Sequence, residues 1–159
     1  MAAQKKFEQR IFDTINSLEG LQKLPRSLYR DMYRATEMAR QFCDEVVRPY
    51  YLQVDLKVTE DNDYIPEDFI KEACRRGIFT RWIPKMFGGQ GMHLLSLYLF
   101  IEEVSSVCAG LANVFSVHYL GMSVLFATCN VKVINRVLRE SIREEKKGNP
   151  CLISLAWTE

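Results

Sequence analysis

Several things are scarce in this sequence. Charge of one sign is the first: 21 basic and 20 acidic residues leave a formal charge of +1, too little to hold nucleic acid or an anionic membrane by an overall field. Histidine is the second, with only His93 and His118. The five cysteines (Cys43, Cys74, Cys108, Cys129 and Cys151) include no CxxC pair, so they read as reduced core thiols and no metal site is expected. The opening MAAQKKFEQR lacks the apolar stretch of a signal peptide and the acid-poor pattern of a transit peptide, which points to a cytoplasmic protein. With 48% hydrophobic and 26% charged residues over 159 positions, the chain has the balance of one folded domain. Disorder and two full catalytic domains are both excluded.

Helical periodicity dominates what is present. Phe7, Ile11, Phe12, Ile15 and Leu18 form one stripe that Gly20 ends. Ser27 is the expected N-cap of a longer helix through Leu28, Met32, Ala35, Met38, Ala39 and Phe42. Pro49 should stop or kink it, with a short helix over 50–58 following. Pro66, Glu67 and Asp68 mark another helix start, Phe69, Ile70 and Ala73 its inner face, and Gly77 its end. The glycine-rich segment 88–91 reads as a loop. Leu94, Leu97, Tyr98, Ile101 and Val104 give a further stripe.

From Val104 to Val131 there is no formal charge, a run long enough to span a bilayer, for which about 20 apolar residues suffice. Asn113, Ser116, His118, Ser123 and Asn130 inside it argue against a membrane span and for a helix buried on nearly all sides. An amphipathic helix over 131–147 follows, with Val133, Ile134, Val137, Leu138 and Ile142 inward and Arg136, Arg139, Glu140, Arg143, Glu144 and Glu145 outward. The stretch from Cys151 to Trp157 is strand-compatible, and reads as the first strand of a sheet continuing beyond Glu159.

No catalytic constellation is complete. Gly88-Gly89-Gln90-Gly91 lacks the Lys-Ser/Thr of a Walker A loop and follows no strand, so it is better read as a tight connection than as a phosphate cradle. Glu102 and Glu103 are neighbours that diverge by about 100 degrees on a helix, which suits salt bridges and not joint acid–base work. His118, in an apolar helix, reads as a hydrogen-bonded core residue. Small and polar residues at Ala112, Asn113 and Ser116 leave space on a core helix for a neighbouring helix or a ligand chain.

The order of segments resembles the N-terminal helical domain of the acyl-CoA dehydrogenase family. The matching pieces are ARQFCDEVVRP (39–49), RRGIF (75–79), IPKMFGGQG (83–91), the Glu102-Glu103 pair, LANVFSVHYLG (111–121) and LISLAWTE (152–159). The last is the most specific, because a strand ending in Thr-Glu opens that family's middle β-domain. ATCNVKVINR (127–136) lacks the family's Gly-Thr-x-x-Gln-Lys pattern, which suggests a divergent branch.

The resemblance implies an all-α helical bundle over 26–150, preceded by a helical extension over 1–25 and followed over 151–159 by one terminal β-strand of a β-domain not contained in the chain. It implies FAD as cofactor, with Leu155, Ala156, Trp157 and Thr158 at the flavin edge. Ala112, Asn113, Ser116 and Leu120 would line the acyl-chain cavity. The implied reaction is α,β-dehydrogenation of an acyl-CoA thioester, a step of fatty acid metabolism. Its catalytic glutamate belongs to a C-terminal domain, so no catalytic residue is expected in this chain and the chain alone should be inactive. Family members commonly form homo-oligomers and pass electrons to an electron-transfer flavoprotein. At the positions implied to meet that partner, Ile78 and Phe100 are apolar, whereas Ala35 and Gln90 depart from large apolar residues. The competing expectation is a helical interaction module that keeps the domain shape without the chemistry.

Overall fold

The computed structural model describes residues 25–154. The expected helix over 7–18 lies outside the described residues, as do Leu155, Ala156, Trp157 and Thr158. The described chain is helical: α1 (Arg26–Phe42), a wide π turn (Cys43–Val47), α2 (Arg48–Glu60), α3 (Glu67–Arg75), a 3-10 turn (Lys85–Phe87), α4 (Leu94–Ser105), α5 (Ala109–Ala127) and α6 (Val131–Lys146). There is no strand among the described residues; the segment 151–154 runs on without strand pairing.

Local chemistry sets most of the boundaries. Pro25, not Ser27, occupies the N-cap of α1, and no side chain caps that end. The Leu28 N–H instead reaches the Pro25 carbonyl at 2.9 Å. At Pro49 the helical backbone is not broken off. The Arg48 N–H bonds back five residues to the Cys43 carbonyl, and the widened turn lets the chain pass into α2 with proline in its first turn. Gly77, at φ +65°, ends the α3 segment. The Asn130 side chain accepts from the Val133 N–H at 3.3 Å and caps α6.

A knot of aromatic rings holds the bundle together. Phe115 of α5 lies 5.9 Å from Phe42 of α1, 5.7 Å from Phe69 of α3 and 5.2 Å from Phe100 of α4, centroid to centroid. Phe79, on the segment after α3, is 5.5 Å away. These separations are those of favourable aromatic contact, and all five rings are buried. Around the knot α1 packs along α4, and the half-exposed Arg40–Glu103 ion pair joins them at 2.6 Å. Being partly solvated, that pair fixes geometry more than it stabilises.

The glycine-rich segment is a tight connection. Gly88 takes φ +97° to end the 3-10 turn. The Gly88, Gly89 and Gly91 amides donate to the carbonyls of Lys85, Pro84 and Ile83 at 2.9, 3.4 and 2.9 Å, so their N–H groups serve the chain's own backbone. At Gly89 a Cβ would lie 2.1 Å from the Ile83 carbonyl oxygen and 2.5 Å from its Cβ. Backbone cannot yield that far. Gly89→Ala is expected to cost about 3 kcal/mol or more in denaturant unfolding, whereas Gly148→Ala, at φ +82° with no neighbour within 4 Å, should cost only about 1 kcal/mol from the left-handed backbone.

Candidate functional site

Helix α5 carries the residues expected to line a ligand cavity, and it divides them. Leu111, Ala112, Phe115, His118, Tyr119 and Met122 form its buried face. Asn113, Val117, Leu120 and Ser123 are exposed on the other side, with Ser116 half-buried beside them. At about 100 degrees per residue, Asn113, Ser116 and Leu120 fall within roughly 60 degrees of one another. Ala112 points round toward the core, where it is fully buried. The Ser116 hydroxyl donates to the Ala112 carbonyl one turn back at 3.3 Å.

The helix is therefore not buried on nearly all sides, as its lack of charge suggested. An uncharged helix can bury one face in its own bundle and keep the other for a different surface, and composition does not separate the two cases. Among the described residues α5 is the one helix long and apolar enough to cross a membrane. Its buried face belongs to the common core of the bundle, and one helix of this kind does not establish a span.

Behind the open face is a polar interior. Turn bonds satisfy only part of the backbone of the segment after α3, and side chains from α5 and α6 take the rest of that role. The His118 Nε2–H donates to the Phe79 carbonyl at 2.9 Å, and the Tyr119 hydroxyl donates to the Ile78 carbonyl at 2.6 Å. From α6, Glu145 accepts the Phe79 N–H at 2.9 Å and the Thr80 hydroxyl through its other oxygen. Trp82 Nε1–H donates to Ser96 Oγ at 2.8 Å. Glu145 is thus buried, not outward-facing. Val133, expected inward, is 43% exposed. Burial pushes the Glu145 carboxyl up from the ordinary range, and the bonds from Thr80 and Phe79 oppose that. Burial likewise drives His118 down to about 4, outweighing its bond to Phe79.

The chain leaves the bundle across α5 and α6. Ser141 Oγ donates to the Cys151 carbonyl at 3.3 Å, and the Ile153 N–H donates to His118 Nδ1 at 3.0 Å. Leu152 between them is 41% exposed. Of the four positions implied to meet a protein partner, Ala35, Ile78 and Phe100 are completely buried. Only Gln90 reaches the surface. Among the described residues no three His, Cys, Asp or Glu side chains converge as metal ligands would.

Comparison with known proteins agrees with this architecture. Residues 30–145 match the family model described as "Acyl-CoA dehydrogenase, N-terminal domain". The chain belongs to the acyl-CoA dehydrogenase family. It is 26% identical over 92 residues to "Acyl-CoA dehydrogenase, short-chain specific" of Clostridium acetobutylicum, a match covering 58% of this chain and 23% of that protein. It is 28% identical over 82 residues to "Acyl-CoA dehydrogenase" of Bacillus subtilis, covering 52% of this chain and 20% of that one. The matches thus span less than a quarter of these relatives' length. No solved structure matches the chain significantly.

Within this acyl-CoA dehydrogenase N-terminal domain, sequence reasoning found His118 but missed Glu145 and Thr80. The signal for Glu145 was its spacing: Leu138, Ser141, Ile142 and Glu145 continue one inward stripe. The pH behaviour follows from the two opposed shifts. His118 is depressed on folding, so its stabilisation is complete above pH 6.5 and is lost as pH falls toward about 4, a change of about 3 kcal/mol. Glu145 is raised, so its contribution runs the other way, present below its ordinary range and lost as pH rises through the folded value. Since Glu145 is common to both proteins, the stability advantage of wild type over His118→Gln should shrink by about 3 kcal/mol between pH 6.5 and 4, measured by urea unfolding at each pH.

Proposed function

We propose that the complete polypeptide is an FAD-dependent acyl-CoA dehydrogenase that introduces an α,β double bond into an acyl-CoA thioester, and that α5 supplies one wall of its acyl site. The observation that carries this reading is the open, uncharged face of α5 beside the point where the chain leaves the bundle. Asn113, Val117 and Leu120 stand exposed there, in a stretch with no formal charge from Val104 to Val131. Such a face suits an acyl chain or the flat ring of a flavin, which bury apolar surface without needing counter-charge. It does not suit the phosphates of the dinucleotide, whose partners belong to other parts of the polypeptide.

FAD, when bound, supplies the two-electron acceptor for the reaction. The part of this chain is to bind and shield. Val117 and Leu120 exclude water from the acyl chain, Asn113 and Ser116 limit how far it extends along the helix, and Leu155, Ala156, Trp157 and Thr158 meet the flavin edge. The domain anchors the wall through the buried half of α5, and the acyl chain is oriented against that anchored surface.

Two measurements test the reading. The full-length protein should carry the visible spectrum of bound flavin, and anaerobic addition of acyl-CoA should bleach it. A protein without flavin, or one whose flavin no acyl chain length reduces, would leave the helical interaction module as the remaining interpretation. Leu120→Arg should leave the melting temperature of the full-length protein almost unchanged, because Leu120 is 52% exposed on the bundle and such positions tolerate substitution. The same change should lower kcat/KM for acyl-CoA at least about tenfold, by placing a charge in the acyl wall.

A further inference from the structure

We propose that His118 is a positioning residue, a clamp that fixes where the chain leaves the helical domain and so aims the residues that follow. This rests on the functional reading above, in which those residues meet the flavin edge. One imidazole ring makes two bonds in opposite directions: Nε2–H donates to the Phe79 carbonyl at 2.9 Å, and Nδ1 accepts the Ile153 N–H at 3.0 Å. A backbone N–H can only donate, so Nδ1 is unprotonated and Nε2 carries the hydrogen. The ring therefore ties the departing chain to the segment after α3, and its own position is set by T-shaped contact with Phe79 at 5.2 Å and Tyr119 at 5.0 Å.

Two further observations place the same segment independently. Gly121, three residues along α5, lies so close beneath Ile153 that a Cβ on it would come within 3.1 Å of the Ile153 carbonyl oxygen and of its Cγ2. Ser141 of α6 holds the Cys151 carbonyl at 3.3 Å. The departing chain is thus seated at residues 151 and 153 by side chains of two helices and by a glycine-dependent close approach. Half-buried Ile153 packs its side chain against the common core at the same point. A buried neutral imidazole needs a partner at each ring nitrogen; here Nδ1 takes a backbone amide 35 residues away, so satisfying the ring also fastens the departing chain.

The two amide isosteres separate the two bonds. Asparagine at 118 places an acceptor near the Nδ1 position and keeps the bond to Ile153; glutamine places a donor near Nε2 and keeps the bond to Phe79. In the full-length polypeptide, hydrogen–deuterium exchange of the Ile153 amide should be at least tenfold faster in His118→Gln than in His118→Asn. Flavin dissociation should follow the same order, with glutamine the weaker binder. Gly121→Ala provides a variant that does not disturb the ring: alanine favours the helix but crowds Ile153, so exchange at Ile153 should rise at least fivefold without a fall in melting temperature. Equal exchange at Ile153 in the glutamine and asparagine variants, or unchanged exchange in Gly121→Ala, overturns the clamp. If the wild-type polypeptide binds no flavin, the functional reading fails, while the exchange comparison still decides the clamp on its own.

Discussion

The buried backbone at Ile78 and Phe79 finds only part of its hydrogen bonding within the chain's own turns, the Ile78 N–H donating to the Ala73 carbonyl at 3.2 Å, and the remaining demand shapes the helices around it. A buried carbonyl or N–H left unpaired costs about as much as a lost hydrogen bond with its desolvation, on the order of 1–3 kcal/mol each. Three side chains from two helices meet it: Tyr119 at the Ile78 carbonyl, His118 at the Phe79 carbonyl and Glu145 at the Phe79 N–H. Each constrains its helix. His118 and Tyr119 are adjacent on α5, so both can reach the segment only if α5 presents one particular face, and that rotation leaves Asn113, Val117 and Leu120 outside. The polar interior thus decides which side of α5 is open.

The aromatic knot and the polar bonds have complementary roles. Phe42, Phe69, Phe100 and Phe115 come from four different helices, and burying such rings is a large favourable contribution to assembly. Apolar burial is not directional, however, and by itself would tolerate a helix turned or slid by part of a turn. The bonds to Ile78 and Phe79 remove that freedom, because a hydrogen bond weakens steeply once its angle and length are lost. Phe79 belongs to both systems. Its ring packs on Phe115 at 5.5 Å while its N–H and carbonyl take bonds from α6 and α5.

Much of this was legible in the sequence wherever periodicity and punctuation agreed. The stripes in α1 and α3, most of that in α6, the Gly77 stop and the loop at 88–91 follow from spacing and from residues with special backbone geometry; the α4 stripe does so only in part, since Leu97 and Val104 are buried with Ser96 and Phe100 while Leu94 and Tyr98 are 61% and 62% exposed. Pro49 signals a disturbance in the sequence, but the π turn that carries the helical backbone through it depends on which carbonyls are available and leaves no mark in composition. The charge of Glu145 suggests an outward position while its spacing places it on the inward stripe; its partner amide lies 66 residues away, beyond the reach of any local pattern. The open face of α5 was the harder case. Leu120 and Phe115 are both large and apolar, and only the folded arrangement distinguishes the one at 52% exposure from the one at 0%. The segment 151–154 has strand-compatible residues but no strand partner among the described residues, and a strand exists only by pairing.

The two faces of α5 then bear on one another. Its buried side is fixed by aromatic contact and by side-chain bonds to the segment after α3, so the direction in which the exposed side faces is set from within the bundle. That is the condition under which a wall can orient a flexible apolar ligand, since a wall that had to order itself on binding would lose affinity to its own entropy. The chain's exit lies across the same helix, held by His118 three residues before Gly121. Orientation of the apolar wall and placement of the departing chain are thereby coupled through a single rigid element. A change in the packing of Phe79 or Phe115 would shift both together, although neither ring touches the open face.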